Sequence, residues 1–525
     1  SGKNTGFNKN DFVAKFKINL FPNAAIKQSL KFKFQYADEV GNETYLGLSQ
    51  ADFNANPFSR YSASNNDKMT TDHSQYMLTH KLDFSKNFRV TTTAYQNNFS
   101  RNWYKLNDVT FNGEKKSIAN VLEDPITLSN HFSILNGVVN SEADALGVKA
   151  NNRKYYSQGI QTKLDYHWYK GDLFHDIEIG FRYHYDEEDR FQWVDKYSIS
   201  NIGVLSLTTA GKPGTNANRI ASALAFASYV TYKLKKDNWT FTPGIRYENI
   251  LLQREDFGKN DVTRSGIDIA TRENSVDVFI PGMGMNYKFN NDFSLFGGIH
   301  KGFSPPGNQD GQESEESVNY ELGTRFNLGK LKGELVGFLN DYSNLLGSDL
   351  TATGGTGTLE QFNAGEVNVN GIEVLLNYNL AIKDSKISMP ISFGYTFTNT
   401  EFQNSFDSSD GLWGEVSVGD EMPYIPKHQF NAALSLEHSS FEINLNARYN
   451  GTFRTLAGTG TIPENEKVSS NFIVDISGKY YVNKKLRLTA NIINLLDNTY
   501  AVSRVPAGLR PGHPFGIYGG LEFSF

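Results

Sequence analysis

The chain has 525 residues, a formal net charge of −6 and no cysteine. The missing thiols exclude thiolate metal sites, disulfide staples and cysteine nucleophiles, and the mildly acidic balance offers nothing to a nucleic-acid partner. A soluble chain of this length divides into several linked domains, yet no Pro-rich tract, Gly/Ser run or block of like charge marks a linker here.

No apolar run approaches the ~20 residues of a membrane helix. What stands out is 38 Phe and 27 Tyr, a load that suits the aromatic girdles of a membrane β-barrel, whose polar interior hides it from hydropathy. Helical periodicity is nearly absent, and alternation of period two replaces it. Near the N-terminus Phe12, Ala14, Phe16, Ile18 and Leu20 alternate with Val13, Lys15, Lys17 and Asn19, which predicts a strand over residues 11–21. The next run sets Leu30, Phe32, Phe34 and Tyr36 against Lys31, Lys33 and Gln35. Far downstream Phe441, Ile443, Leu445, Ala447 and Tyr449 oppose Glu442, Asn444, Asn446, Arg448 and Asn450. Such runs reach the ~9–11 residues a tilted strand needs to cross a bilayer, where ordinary strands average about 5–6.

Between the runs, short turns are predicted at 22–27, 85–86, 170–172, 235–238, 290–292, 329–330, 383–386, 438–440 and 483–485. They alternate with long polar stretches at 38–71, 101–154, 187–218, 254–272, 304–314, 346–360, 402–422, 454–466 and 499–514. Short turns at one end and long loops at the other predict an all-β fold, a transmembrane antiparallel β-barrel of about nineteen strands in one domain. Bacterial single-chain barrels close with even counts. The last strand, from residue 517, must end on the short-turn side, so the first predicted strand also descends, and residues 1–10 belong to a preceding long loop. An odd number of strands is therefore expected upstream of Ser1, where no signal-peptide pattern opens the chain.

The run Gly302-Phe303-Ser304-Pro305-Pro306, followed by Glu316-Ser317-Val318-Asn319-Tyr320-Glu321-Leu322-Gly323-Thr324-Arg325, resembles a loop and strand of TonB-dependent outer-membrane receptors. So do Asn363-Ala364-Gly365 leading to Gly371-Ile372-Glu373, the stretch Asn494-Leu495-Leu496-Asp497-Asn498-Thr499-Tyr500, and the terminal Phe523-Ser524-Phe525. In this order the motifs cover essentially the whole chain. The ferric citrate (dicitrate) receptor branch is the nearest match. Residues 43–48, Ala51-Asp52-Phe53, Asn56-Pro57-Phe58, Arg60-Tyr61 and Pro426-Lys427-His428-Gln429 carry it.

The resemblance implies a barrel of twenty-two strands around an N-terminal plug. Residues 1–525 would then be strands four to twenty-two, with the plug and the first three strands outside this chain. It also implies a multi-pass protein of the Gram-negative outer membrane that imports a ferric chelate. Its partners would be that chelate, the membrane's lipid and lipopolysaccharide, and the TonB complex, reached through the part outside this chain. No cofactor is implied, since iron arrives as cargo, and no enzyme activity: neither a nucleophile elbow nor a compelling Ser/His pairing is present.

Ferric citrate complexes are anionic, and the planar fork of Arg binds carboxylates bidentately. The topology puts Arg60, Arg101, Arg153, Arg190, Arg254, Arg264, Arg272, Arg454, Arg504 and Arg510 in or beside outer loops. A loop arginine more commonly pairs with a neighbouring carboxylate. The candidates for ligand contact are Arg254, Arg264 and Arg272, clustered in one loop, and Arg504 and Arg510 in the last loop. Asn308 and Gln309, beyond the Ser-Pro-Pro turn, are candidate donors.

No metal site is expected. The ten histidines lack ligand spacing, His175 and His184 read as polar residues of one strand facing the interior, and residues 407–411 lack a calcium loop's later Glu. Glu321 and Glu373 read as members of interior charge ladders. Competing cargoes are haem, cobalamin and a glycan, with His131 and His513 the only loop histidines suited to haem; a passive porin is the remaining alternative.

Overall fold

The computed structural model describes residues 4–267, 269–348, 361–363, 365–381, 386–407 and 413–524. Among these, nineteen long strands run in chain order: β1 (Phe7–Leu20), β2 (Lys27–Gly41), β3 (Lys68–Asp83), β4 (Phe88–Phe111), β5 (Leu146–Lys170), β6 (Leu173–Ile199), β7 (Ala217–Lys236), β8 (Trp239–Asp256), β9 (Ala270–Lys288), β10 (Phe293–Ser304), β11 (Glu315–Leu328), β12 (Leu331–Tyr342), β13 (Val367–Ala381), β14 (Ser388–Phe402), β15 (His428–His438), β16 (Phe441–Asn450), β17 (Asn471–Tyr481), β18 (Leu486–Ile493) and β19 (Gly516–Phe523). Each pairs antiparallel with the next, giving one continuous meander. Among the described residues β1 pairs only with β2, and β19 only with β18.

The predicted alternation of short and long connections holds along the meander. Residues 383–385 and 349–360 of two predicted connections, 408–411 of the acidic turn, Ala364 and Phe525 lie outside the described residues. Two boundaries differ. β1 begins at Phe7, so residues 7–10 are strand rather than loop. More consequentially, strand runs far into the stretches predicted as loops over 101–154 and 187–218: β4, β5 and β6 have 24, 25 and 27 residues. Since ~9–11 residues cross the bilayer, about half of each stands beyond it. There the outer face no longer meets lipid, and Asn102 and Asp195 enter it, which erased the alternation.

One face of the wall is apolar and open: Phe16, Ile18, Phe279 and Leu322 each keep more than 60 % of their surface exposed. Continuous strands presenting such a face need lipid against it. Near the short turns that face carries paired rings, including Trp168 with Tyr166 and Trp239 with Tyr287, in the manner of an interfacial girdle. His175 belongs here, stacked on Trp168 at 4.6 Å. An odd separation from the interior-facing His184 puts it on the opposite side, which corrects the expectation that both face inward.

Among the described residues the larger apolar core lies among the loops. It joins Tyr45, Leu48, Phe53 and Tyr61 to Leu106 and Val109 of β4, Leu146 and Val148 of β5 and Ile199 of β6. Two short helices, α1 (Ile118–Glu123) and α2 (Ser129–Asn136), add Val121, Leu122, Ile134 and Leu135. Ser117 caps α1 by accepting from the Asn120 N–H. Gly137 ends α2 at φ 69°, with Ser62 so near that a side chain there has no room. Ala507 and Leu509 complete the core, and an antiparallel bridge joins Leu48 to Leu509. The loop after β2 and the loop before β19 are thus fastened together over the mouth.

Candidate ligand-binding site

Directly paired residues on neighbouring strands share a face. At the outer end of the wall the register runs Arg101 (β4) opposite Arg153 (β5), Arg153 opposite Arg190 (β6), and Arg190 opposite Arg219 (β7). Arg219 faces Asp256 of β8; two positions from it, on the same face, Arg254 stands opposite Arg272 of β9. Six arginines on six successive strands therefore form one row. The lipid-facing Ile160, Tyr183, Phe226, Ile245 and Phe279 are each an odd number of residues from the arginine of the same strand. Strand alternation accordingly puts the row on the inner wall.

Lys105 and Lys149 face each other four residues farther out on β4 and β5. Both are buried, and the Lys105 ammonium lies 3.2 Å from the centre of the Tyr45 ring. Burial, reinforced by Arg153, Arg190 and Arg219, holds the Lys149 ammonium down to about 7. Burial and then Lys149 push Lys105 well below the ordinary lysine range. Carboxylates offset part of the charge. Glu188 takes Arg153 at 2.9 Å and Arg190 at 2.7 Å, and Asp256 takes Arg254 at 2.7 Å. Cations still outnumber them, and the Nε–H groups of Arg101 and Arg254 are buried without a hydrogen-bond partner. Buried donors without acceptors are costly, and an anion carrying several carboxylate oxygens would satisfy them.

The predicted candidates separate. Arg254 and Arg272 come together on the inner wall, on strands rather than in a loop. Arg264 does not join them: its loop folds over the outer face. There its guanidinium holds the Asp189 carboxylate at 2.5 and 3.1 Å and Asn218 at 2.8 Å, packed on the rings of Phe191 and Phe257. Arg504 bonds the Lys467 and Glu464 carbonyls and Gln50, and Arg510 bonds the Thr44 and Tyr45 carbonyls. Both arginines brace the lid of joined loops. Asn308 is half-buried and Gln309 exposed. Their loop is tied to the wall by Asn274, which donates to Gly307 and Gln312 at 3.0 Å one inner-face position from Arg272. That places them beside the row.

Among the other loop groups, Arg60 bonds the Asn4, Asn42 and Ser64 carbonyls, and Arg454 meets Glu421 at 3.4 Å. His131 is buried with Nε2 on the Glu114 carbonyl, and His513 lies between the Pro514 carbonyl and Tyr518. Arg219, Lys105 and Lys149 were not among the predicted residues. Arg219 falls just past a predicted loop, and the lysines sit in segments whose strand character the alternation did not carry; only the cross-strand register joins them.

A family profile described as TonB dependent receptor-like, beta-barrel matches residues 15–495. The catecholate siderophore receptor Fiu of Escherichia coli K12 is 22 % identical over 67 % of this chain and 49 % of its own. The chain thus spans about half the length of the curated relatives it matches. Among solved structures, the unliganded ferric citrate transporter FecA superposes with a TM-score of 0.72 at 17 % identity, covering 99 % of this chain and 70 % of that one. The siderophore receptor PiuA of Acinetobacter baumannii gives 0.69 at 15 %, covering 99 % and 74 %. At these identities the superpositions establish the fold, and the profile establishes the family: the chain belongs to the TonB dependent receptor-like β-barrels.

Proposed function

We propose that this chain forms the barrel of an outer-membrane receptor that captures a ferric chelate bearing carboxylates, ferric citrate or a related hydroxycarboxylate, for TonB-driven import. One observation carries the reading: the inner-wall row of Arg101, Arg153, Arg190, Arg219, Arg254 and Arg272, two of whose Nε–H groups are buried without a partner. Guanidinium forks on adjacent strands suit the several carboxylates of a citrate complex. The receptor's own task is capture and commitment, with import driven through the TonB complex.

The carboxylate reading is tested by direct binding of a chelate panel to the purified receptor. Arg219→Ala with Arg254→Ala is expected to weaken ferric citrate binding at least about a hundred-fold, from ~1.5–3 kcal/mol per charge-assisted bond. Arg264→Ala should leave it unchanged. Normal ferric citrate affinity in the double variant overturns the site.

A catecholate cargo is the second reading. Below the row the inner wall carries Phe99 stacked on Tyr155 at 5.8 Å, with the Arg101 guanidinium 5.9 Å from the Tyr155 ring. These are flat surfaces for an aromatic chelator, and the name of the curated relative points the same way. In the panel, a ferric catecholate that binds tighter than ferric citrate and loses affinity in Tyr155→Ala selects this reading.

A further inference from the structure

The inner wall below the arginine row is uneven in charge. On β2 the inner face carries Gln35, Lys33, Lys31, Ser29 and Lys27, and on β1 it carries Lys15 and Lys17, directly opposite Lys33 and Lys31. β3 continues with Gln75, Met77, Thr79 and Lys81, and β4 with Asn97, Tyr95, Thr93 and Thr91. Between the Glu39 and Arg101 level and the Asp83 and Asp165 level near the short turns, the inner faces of β2 to β5 carry no carboxylate among the described residues, and that of β1 carries Asp11 alone. The other flank differs: the inner face of β6 holds Asp186 and Glu178, that of β8 Glu248 and that of β11 Glu321.

The lysines of this track differ in their partners. Lys81 pairs with Asp83, and Lys33 donates to Gln75, which continues through Asn97 to Ser157 as a chain of neutral hydrogen bonds. Among the described residues Lys15, Lys17 and Lys31 make no ion pair. They line a groove of about 330 Å³ together with Phe16, Ser29, Thr79, Lys81 and Thr91. Ammonium groups gathered on two neighbouring rungs of one face, Lys15 opposite Lys33 and Lys17 opposite Lys31, suit a carboxylate-rich anion. The rung of Lys81 and Thr91 lies ten residues along β4 from Arg101, or about 33 Å along the strand, comparable to the ~30 Å of the hydrocarbon core.

We propose that the inner face of β1 to β5 is the descent path of the anionic cargo, with Lys15, Lys17 and Lys31 a second, lower anion site that receives the chelate from the arginine row. The inference rests on the carboxylate-chelate reading and adds a route to it. The arginines set affinity at the mouth, whereas the lysines act after commitment and act on rate. Because Lys is a point charge on a flexible stem, it holds an anion less rigidly than the fork of Arg, as a way station requires.

The test uses the full-length receptor in cells, with radiolabelled ferric citrate. In Lys15→Gln with Lys17→Gln and Lys31→Gln, equilibrium binding at the surface should stay within two-fold of wild type while the uptake rate falls at least five-fold. Lys→Arg at the three positions should restore uptake. Unchanged uptake in the Gln variant, with wild-type binding and import intact, overturns the path and leaves the arginine site standing. If the lysines instead anchor an acidic segment of the plug, the Gln variant will admit bulky antibiotics and lose thermal stability, which also overturns it. A wild-type receptor that neither binds nor imports ferric citrate removes both readings.

Discussion

The wall and the lid are built on opposite principles. In the wall each strand from β2 to β18 is satisfied by its two neighbours, and the apolar residues look outward to lipid: Ile245 and Phe279 keep 46 % and 61 % of their surface exposed. In the lid the apolar residues look toward one another, with Leu106, Leu135, Leu146 and Val148 completely buried under short helices and joined loops. A wall of this kind is a repeating pattern readable from one strand at a time. A lid of this kind is a jigsaw assembled from pieces hundreds of residues apart, such as Leu48 and Leu509. The arginine row lies where the two meet, on strands that have left the membrane but kept their register.

The same substitution placed in each region separates them most sharply. Leu146→Arg buries an unpaired charge in the lid, costing more than about 4 kcal/mol locally. It is expected to expose the lid to protease and abolish chelate binding while the barrel still resists SDS without heating. Ile245→Arg puts the charge against lipid and costs ~2–4 kcal/mol near the bilayer midplane. It should lower the yield of SDS-resistant barrel and leave chelate affinity intact in the molecules that fold. If Leu146→Arg unfolds the barrel as well, lid and wall are one cooperative unit.

This division explains what could be read in advance. Phe12, Phe16 and Ile18 against Lys15 and Lys17 fix a strand, a lipid face and an inner face by alternation alone, and the number and sense of the strands follow. Where strands leave the bilayer, the lipid no longer enforces the pattern, so the outer halves of β4, β5 and β6 looked like loop. The arginines were visible as residue types but not as a row. Arg101, Arg153, Arg190 and Arg219 are neighbours only through register, and Arg264, adjacent in sequence to the true members, is turned to the other face. The motif over residues 43–61 proves to be architectural: Tyr45, Leu46, Leu48, Phe53 and Tyr61 fill the lid core, and Arg60 ties backbone carbonyls. Asn494 of the other motif is likewise structural. At φ 51° and fully buried, it bonds Asn498 and the His513 carbonyl to hold the turn that follows β18.

A smaller effect is expected from pH, because Lys149 stands at the boundary of the two regions with its ammonium held down to about 7. An anion bound at the row would raise that value, so binding takes up a proton whenever the free receptor's lysine is neutral. Affinity should therefore be flat below about pH 7 and fall as pH rises above it, by at most ten-fold per unit. For folding the sign is separate: a lysine depressed in the folded state gives stability that is present above its unfolded pKa and lost as pH falls through the folded value. Lys149→Gln should bind more weakly at pH 6 and lose the decline between pH 7 and 9. Measuring both receptors side by side cancels the chelate's own pH chemistry. An unaltered pH profile in the variant places Lys149 in the lid's architecture rather than in the site's field.

The smallest effect belongs to Arg264, which tests whether the outer face of the extended strands has any part in capture. Its guanidinium bridges Asp189 of β6 and Asn218 of β7 and lies over Phe191 and Phe257, so it fastens the loop after β8 to the outside of the wall. The pair is about four-fifths buried, which makes loss of one partner more damaging than loss of both. Arg264→Ala should accelerate proteolysis within residues 257–267, and adding Asp189→Asn should partly reverse this, with chelate affinity unchanged throughout. A fall in affinity in Arg264→Ala that Asp189→Asn restores would mean that the outer clamp positions the inner row, because Asp189 and Arg190 are consecutive residues whose side chains lie on opposite faces of one strand.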